Sequence, residues 1–176
     1  MDNQGNIRNF GNLLAELSQT VPDGMICYFS SHKQMQHFLI LWNDMKLLQK
    51  VLENKLIFVE TNNHKENMVL LHNFKKACDS GRGGILFCLA RSSMIRGVDL
   101  SGHYCRALVI FGIPFEPILT RNLKVKIQYL SLKYGVDQSQ YLITDAVKVV
   151  SECLCRALRN KDDYCLMLLA DYRFSN

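Results

Sequence analysis

The sequence predicts an α/β fold in which helices cover both faces of a parallel β-sheet, and three observations support this prediction. Short, continuous apolar runs, typical of strands buried on both faces, recur along the chain. Segments with apolar residues at helical spacing alternate with these runs. Glycine and proline mark several boundaries between them. Because the 176 residues contain no visible linker or internal repeat, we expect one domain at 1–176.

The predicted elements follow in order from the N-terminus. Leu14 and Leu17 belong to an apolar helical stripe, and Val-Pro-Asp-Gly at 21–24 stops that helix and turns the chain. A buried strand at 25–29 and a helix with Trp42 on its apolar side come next. The same patterns then predict strands at 56–59, 84–89, 106–111 and 164–169, and helices at 66–78, 119–132 and 139–159.

The composition is that of an ordinary globular protein, with 48% hydrophobic and 21% charged residues. This balance argues against a disordered tail and against a collagen-like repeat. The longest apolar stretch, 107–119, is interrupted by two prolines and a glutamate and is too short to span a bilayer. The first residues are polar and lack the basic and apolar regions of a signal peptide. We therefore expect an intracellular protein with no membrane span.

Charge and cysteine content add little more. The formal net charge of +5 and the pI of about 8.8 suit an anionic partner without specifying one. The seven cysteines are an odd number, lie mostly within apolar runs and form no Cys-x-x-Cys motif. This usage is typical of reduced core thiols, so we predict neither a metal site nor an iron–sulfur cluster in this chain.

Common nucleotide and hydrolase signatures are absent from the sequence. There is no Gly-x-x-x-x-Gly-Lys-Ser/Thr loop and no Gly-x-Gly-x-x-Gly after a strand. Gly-x-Ser-x-Gly and His-Glu-x-x-His are also missing. The one glycine cluster, at 81–84, precedes a predicted strand, which is more typical of a helix cap and turn than of a phosphate loop. A self-contained enzyme is therefore not indicated.

Three segments remain as candidates for function, and the first two follow predicted strands. Ser30 and Ser31 lie between the strand at 25–29 and a helix, where backbone N–H groups favour an anion such as phosphate. Ordinary helix capping explains these hydroxyls equally well. The second segment, 89–100, offers arginines for phosphate oxygens, Gly97 for close backbone approach and Asp99 as an acceptor. A solvated loop is its alternative.

The third segment is the end of the predicted helix 139–159. There Arg156 and Arg159 lie three positions apart and would share one helical face, as needed to stabilise charge on a transferring phosphoryl group. The alternative is a surface ladder of Lys148, Glu152 and Arg156 at four-residue spacing.

The whole chain carries a further pattern of short motifs, which in chain order stand at 8–14, 21–24, 81–83, 90–91, 97–99, 111–114, 156–159, 170–171 and 173–174. In order and spacing they resemble motifs of the second motor domain of the XPD (xeroderma pigmentosum group D) family of superfamily 2 DNA helicases. The three candidate segments correspond to motifs IV, V and VI. The resemblance implies a RecA-like fold whose first motor domain, holding the Walker loop, the magnesium-binding acids and an iron–sulfur cluster, is not in this sequence.

The resemblance also implies roles for individual residues and for the protein. By position, the arginine fingers would be Arg156 and Arg159, the residues near the nucleotide Gly97, Asp99 and Glu152, and the DNA-side residues Ser30, Ser31, Ala90 and Arg91. The implied activity is that of an ATP-dependent 5′ to 3′ DNA helicase of transcription factor IIH, acting in nucleotide excision repair and transcription initiation in the nucleus. Its implied partners are a first motor domain that shares ATP and Mg²⁺, single-stranded DNA and other subunits of that factor. Alone, the chain is expected to be inactive.

Four positions depart from the family pattern. Glu152 and Cys155 stand where motif VI usually has glutamine and glycine, and Ser93 and Arg96 stand where motif V usually has a lysine and an acid. A carboxylate beside a triphosphate repels it, and Glu152 is placed to restrain Arg156 in an ion pair. The second hypothesis is therefore a catalytically degenerate, non-enzymatic protein-interaction module with the same fold.

Overall fold

The computed structural model describes residues 4–116 and 120–175 of the chain. The helices are α1 Gln4–Thr20, α2 His32–Asp44, α3 Leu47–Asn54, α4 His64–Asp79, α5 Arg121–Tyr134 and α6 Gln138–Leu154. The strands are β1 Gly24–Phe29, β2 Leu56–Val59, β3 Gly84–Leu89, β4 Ala107–Phe111 and β5 Leu166–Ala170. Short 3₁₀ turns lie at Gly102–Tyr104 and Tyr172–Ser175. Among the described helices none is long and apolar enough to cross a membrane.

The five strands form one sheet in the order β2-β3-β1-β4-β5, and every neighbouring pair is parallel. The predicted α/β class with a parallel sheet is thus confirmed. Because parallel strands all end on the same side, the residues that follow them meet at one edge of the sheet, here called the carboxyl edge. The first residues of the carboxyl edge are Ser30, Glu60, Ala90, Gly112 and Asp171.

One face of the sheet is covered by α1, α2 and α3 and is rich in aromatic side chains. Phe29 of β1 packs against Phe38 and Phe111 with ring centroids 5.7 and 5.0 Å away. Trp42 is fully buried in the same cluster, and its indole N–H donates to the carbonyl oxygen of Ile7 at 2.7 Å. This bond satisfies the one polar group of the indole and ties α2 to α1.

The opposite face is covered by α4 and α6 and holds aliphatic side chains and thiols. Ile26 and Ile110 of the central strands pack with Phe74 of α4 and with Val150 and Cys153 of α6. Burial raises the pKa of Cys153 to about 12, so this thiol stays protonated at neutral pH. Both faces of the sheet are therefore closed, as the continuous apolar strands require.

Most predicted elements lie within a few residues of the observed ones, with two differences. Helix α3 was not predicted; it begins after Lys46, whose positive φ of 58° separates it from α2. Helix α6 ends at Leu154 and not at Arg159, because the N–H groups of Arg156 and Ala157 bond three residues back instead of four. The predicted start of α5 at Leu119 falls outside the described residues.

Candidate nucleotide and DNA site

Of the two serines after β1, Ser31 caps the following helix and Ser30 binds a side chain of its first turn. The Ser31 Oγ accepts the backbone N–H of Gln34 at 3.2 Å, and the Ser30 hydroxyl donates to the Gln34 side-chain oxygen at 2.8 Å. The capping alternative is therefore realised. The same residues line an open depression with Lys33 and His37, so Ser31 remains exposed to an anion at this corner of the carboxyl edge.

Arg91, directly after β3, connects three elements. Its Nε donates to the carbonyl oxygen of Pro114 at 3.0 Å, and its guanidinium forms an ion pair with Asp145 of α6. The neighbouring Ala90 carbonyl accepts the Cys153 thiol at 3.6 Å. The Arg91 side chain is 26% exposed and its guanidinium is engaged by groups of the same domain. The contact of Ala90 and Arg91 with DNA stays a prediction.

Glu60, at the end of β2, is a structural residue that sequence reasoning did not assign. Its buried carboxylate accepts the backbone N–H of Leu89 at 2.8 Å and also accepts the Ser92 hydroxyl. The Ser92 oxygen in turn accepts the Met94 N–H at 2.9 Å. Glu60 thus fixes the start of the loop 90–101, here called the motif V loop. Its place at the end of a strand was visible in the sequence, but its partners were not.

Asp99 of the motif V loop lies beside Arg159, sixty positions later in the chain. The Arg159 Nε is 3.7 Å from an Asp99 carboxylate oxygen, with side-chain exposures of 46% and 60%. Hydrogen bonds from Ser101 and, less strongly, the charge of Arg159 lower the pKa of Asp99. The structure therefore brings together motif V and motif VI residues that were predicted separately.

Gly97 stands at the exposed turn of the same loop. Its φ is +76°, a backbone conformation that residues other than glycine rarely adopt, and no atom lies within 4 Å of where a Cβ would be. Glycine is therefore required here by the backbone turn and not by crowding. The open space beside it leaves room for a ligand group to approach the backbone.

Arg156 is placed differently from Arg159. Because α6 has ended before both residues, they do not share a helical face, and that prediction was wrong. Arg156 is half-buried and donates to the backbone carbonyl of Ile95, which holds the motif V loop against the end of α6. The backbone N–H of Arg159 is bonded to Asp163 at 3.0 Å, and its guanidinium points to the surface loop. The two arginines thus have different environments.

Glu152 is exposed on the last turn of α6. Among the described residues it forms no ion pair with Arg156, whose guanidinium is engaged with Ile95 instead. The predicted ladder of Lys148, Glu152 and Arg156 is not formed, because Arg156 lies beyond the helix. Within the described part of the chain, no group of three or more histidine, cysteine or carboxylate side chains is placed to hold a metal.

A parallel sheet with helices on both faces and with loops gathered at its carboxyl edge defines a doubly wound α/β domain, a class that places ligands at that edge. Comparison with known proteins specifies the family. The helicase C-terminal domain family matches residues 14–176. The chain belongs to that family.

The similar proteins are much longer than this chain. It is 41% identical to the general transcription and DNA repair factor IIH helicase subunit XPD of Dictyostelium discoideum, over 96% of this chain and 22% of that protein. Identity to the corresponding subunit of Arabidopsis thaliana is 36%, over 97% of this chain and 23% of that protein. The chain therefore spans about a fifth of these relatives.

Solved XPD structures share the fold. One XPD helicase structure superposes with a TM-score of 0.66 at 18% identity, over 100% of this chain and 30% of the other. An apo XPD structure gives a TM-score of 0.66 at 19% identity, over 100% of this chain and 34% of the other. At this level of identity the superpositions establish the RecA-like architecture and nothing further.

Proposed function

We propose that this chain is the second motor domain of an ATP-dependent 5′ to 3′ DNA helicase that works in the nucleus as part of transcription factor IIH. Its relatives of 36–41% identity are helicase subunits of that general transcription and DNA repair factor. The chain would then act in nucleotide excision repair and in transcription initiation. It would do so with a first motor domain and with other subunits of the factor.

The observation that carries this proposal is the position of Arg159 beside Asp99. The Arg159 side chain is 46% exposed, and among the described residues its guanidinium makes one ion pair, a 3.7 Å contact to a surface carboxylate, so it is placed to reach a ligand outside the domain. A triphosphate bound with Mg²⁺ by the first motor domain fits this cation. When bound, ATP supplies the phosphoryl group that is transferred to water. Arg159 would stabilise the negative charge that develops on it.

Arg156 supports Arg159 by fixing the motif V loop. Its contact with the Ile95 carbonyl fastens the loop that carries Gly97 and Asp99 to the end of α6. We therefore assign Arg159 as the finger that reaches the nucleotide and Arg156 as a positioning residue. On the DNA side, Ser31 is exposed and Ala90 half-exposed at the carboxyl edge, while Arg91 positions that edge through Asp145.

Glu152 favours the second candidate function, a non-catalytic interaction module. Its carboxylate is exposed on the turn of α6 next to the arginine segment, where it would repel a triphosphate. In that case the fold would persist to bind a protein subunit, and Arg159 would be a surface residue.

The test is DNA-stimulated ATP hydrolysis by this chain combined with its first motor domain. Arg159→Ala should lower kcat on the order of a thousandfold with little change in ATP affinity, because the finger acts on the transition state. Arg8→Ala, which removes an exposed arginine from α1, is the matched control and should leave the rate unchanged. An unaltered rate in Arg159→Ala contradicts the finger assignment. No hydrolysis by the wild-type pair, together with tight binding between the two domains, favours the interaction module.

A further inference from the structure

Helices α5 and α6 form a hairpin at the carboxyl edge, outside the motifs described above. The contacts that join α6 to the sheet involve residues that follow the strands, namely Asp145 with Arg91 and Cys153 with Ala90. Helix α5 precedes α6 and contacts it, and the buried residues of α5 are Leu123 and Ile127. The other side of α5, away from these buried residues, is exposed.

The outward side of α5 combines cations with exposed rings. The helix contains no aspartate or glutamate, and its basic residues are Arg121, Lys124, Lys126 and Lys133. Tyr129 is 53% exposed and Tyr134 is 62% exposed. Two large aromatic rings on a purely basic helix are unusual on a surface that meets only water. This combination is instead characteristic of surfaces that bind a single-stranded polyanion with flat bases.

Tyr129, Lys133 and Tyr134 form a compact group, here called the tyrosine–lysine cluster. The ring centroids of the two tyrosines are 6.5 Å apart at an interplanar angle of 76°. The Lys133 ammonium lies 5.4 Å from each centroid and donates to the Tyr129 hydroxyl at 2.8 Å. Hydrogen bonds with Tyr129 and Tyr134 raise the pKa of Lys133, so the cation persists at neutral pH.

We propose that the tyrosine–lysine cluster of α5 is a binding site for single-stranded DNA, with bases stacked on Tyr129 and Tyr134 and a phosphate on Lys133. The charge of α5 is complementary to a polyanion along its length. Stacking on aromatic rings accepts any base, as a translocating motor requires. The choice of DNA as the polymer rests on the proposed function, whereas the location and the residues rest on the geometry of α5.

The competing occupant of this surface is a protein helix. Val125, Tyr129 and Leu132 lie at i, i+4 and i+7 and are all exposed, Leu132 at 90%. Such a stripe also suits an acidic amphipathic helix. We favour DNA for two reasons. Lys133 and Tyr134 lie outside the apolar stripe, so a helix docked on the stripe would not need them. A nucleic-acid strand would contact both groups, because its bases stack on rings and its phosphates bind cations.

The experiment measures binding of the 176-residue chain to a fluorescently labelled oligothymidylate by anisotropy at several salt concentrations. The double variant Tyr129→Ala/Tyr134→Ala should weaken binding about tenfold or more, since stacked bases lose their platform. Tyr129→Phe/Tyr134→Phe keeps the rings and should restore binding to within about twofold of wild type. Lys133→Gln should reduce the slope of log affinity against log salt by about 0.7, the value for one single-strand phosphate contact.

Tyr164→Ala is the matched control. Tyr164 is 60% exposed and lies beside Arg106 at the opposite edge of the sheet, so its removal should leave affinity unchanged. The proposal is overturned if the chain does not bind the oligonucleotide, if the alanine pair binds as wild type, or if Tyr164→Ala weakens binding equally. Loss of binding to a partner subunit with intact DNA affinity would assign α5 to a protein helix. Arg159→Ala leaves this surface intact, so failure of the finger and failure of the α5 site are distinguished.

Discussion

The two faces of the sheet are built from different interactions. On the face of α1–α3, Phe29, Trp42 and Phe111 pack in an aromatic cluster, and the indole N–H of Trp42 donates to the Ile7 carbonyl. On the face of α4 and α6, the covering helix is tied to the carboxyl edge by Arg91 and Arg156, both through polar contacts. The first face therefore relies on the packing of rings. The second face also buries apolar side chains and adds charged ones that set the geometry of the loops after β3 and α6.

The largest expected effect is on the aromatic face. Trp42→Ala should lower the free energy of unfolding by about 3–5 kcal/mol, because it leaves a cavity and also leaves the Ile7 carbonyl without its donor. Urea denaturation followed by circular dichroism measures the change. Tyr28→Phe on the opposite face is the contrast: among the described side chains, the buried Tyr28 hydroxyl has no hydrogen-bond partner. Its removal should be neutral or slightly stabilising. Equal losses in both variants would contradict the comparison.

The second expected effect separates the two arginines of motif VI. Arg156→Gln should destabilise the domain by about 1–2 kcal/mol, because a charged hydrogen bond from a half-buried guanidinium to the Ile95 carbonyl is lost. Arg159→Gln should stay within about 0.5 kcal/mol of wild type, since its side chain is exposed and its ion pair is long. Thermal unfolding of the two variants under identical conditions measures this difference. A larger loss at Arg159 than at Arg156 would reverse the assignment of the positioning residue and the finger.

Most of the sheet was predictable from the sequence, because each strand is a short apolar run with its own boundary. Leu56–Val59 and Gly84–Leu89 were predicted to the residue. The helices were less well determined. The break at Lys46 depends on one left-handed residue, which leaves no periodicity signal, so α3 was missed. The end of α6 was missed because the apolar spacing continues through Ala157, which is buried in a turn and not in the helix.

The sequence predicted which positions of the chain form the candidate site, but not which of these residues contact one another. The resemblance to the XPD family located Asp99, Arg156 and Arg159 along the chain. The contact of Arg159 with Asp99 and that of Arg156 with Ile95 join segments about sixty residues apart, and only the fold determines them. The ion pair of Arg91 with Asp145 likewise depends on where α6 crosses the carboxyl edge. Local sequence does not predict such pairings, because each of these charged residues could equally well lie unpaired on a solvated surface.

The smallest expected effect concerns Asp171 at the carboxyl end of β5. Its side chain is fully buried, and burial alone would raise its pKa. Hydrogen bonds from Arg173, 2.6 Å away, and from the Ile113 backbone outweigh burial and lower the pKa. A carboxyl whose pKa is lower in the folded state stabilises the fold above its unfolded value of about 3.9, and that contribution is lost as pH falls through the folded pKa.

Asp171→Asn should therefore be less stable than wild type near neutral pH, and the difference should shrink as the pH is lowered from about 5 to about 2. Urea midpoints across this range measure it, with Asp162→Asn as the exposed control. A difference that is constant with pH would mean that Asp171 acts by shape and not by charge. The end of β5 would then belong with the aromatic face, where packing sets stability, and the division between the two faces would not extend to the whole carboxyl edge.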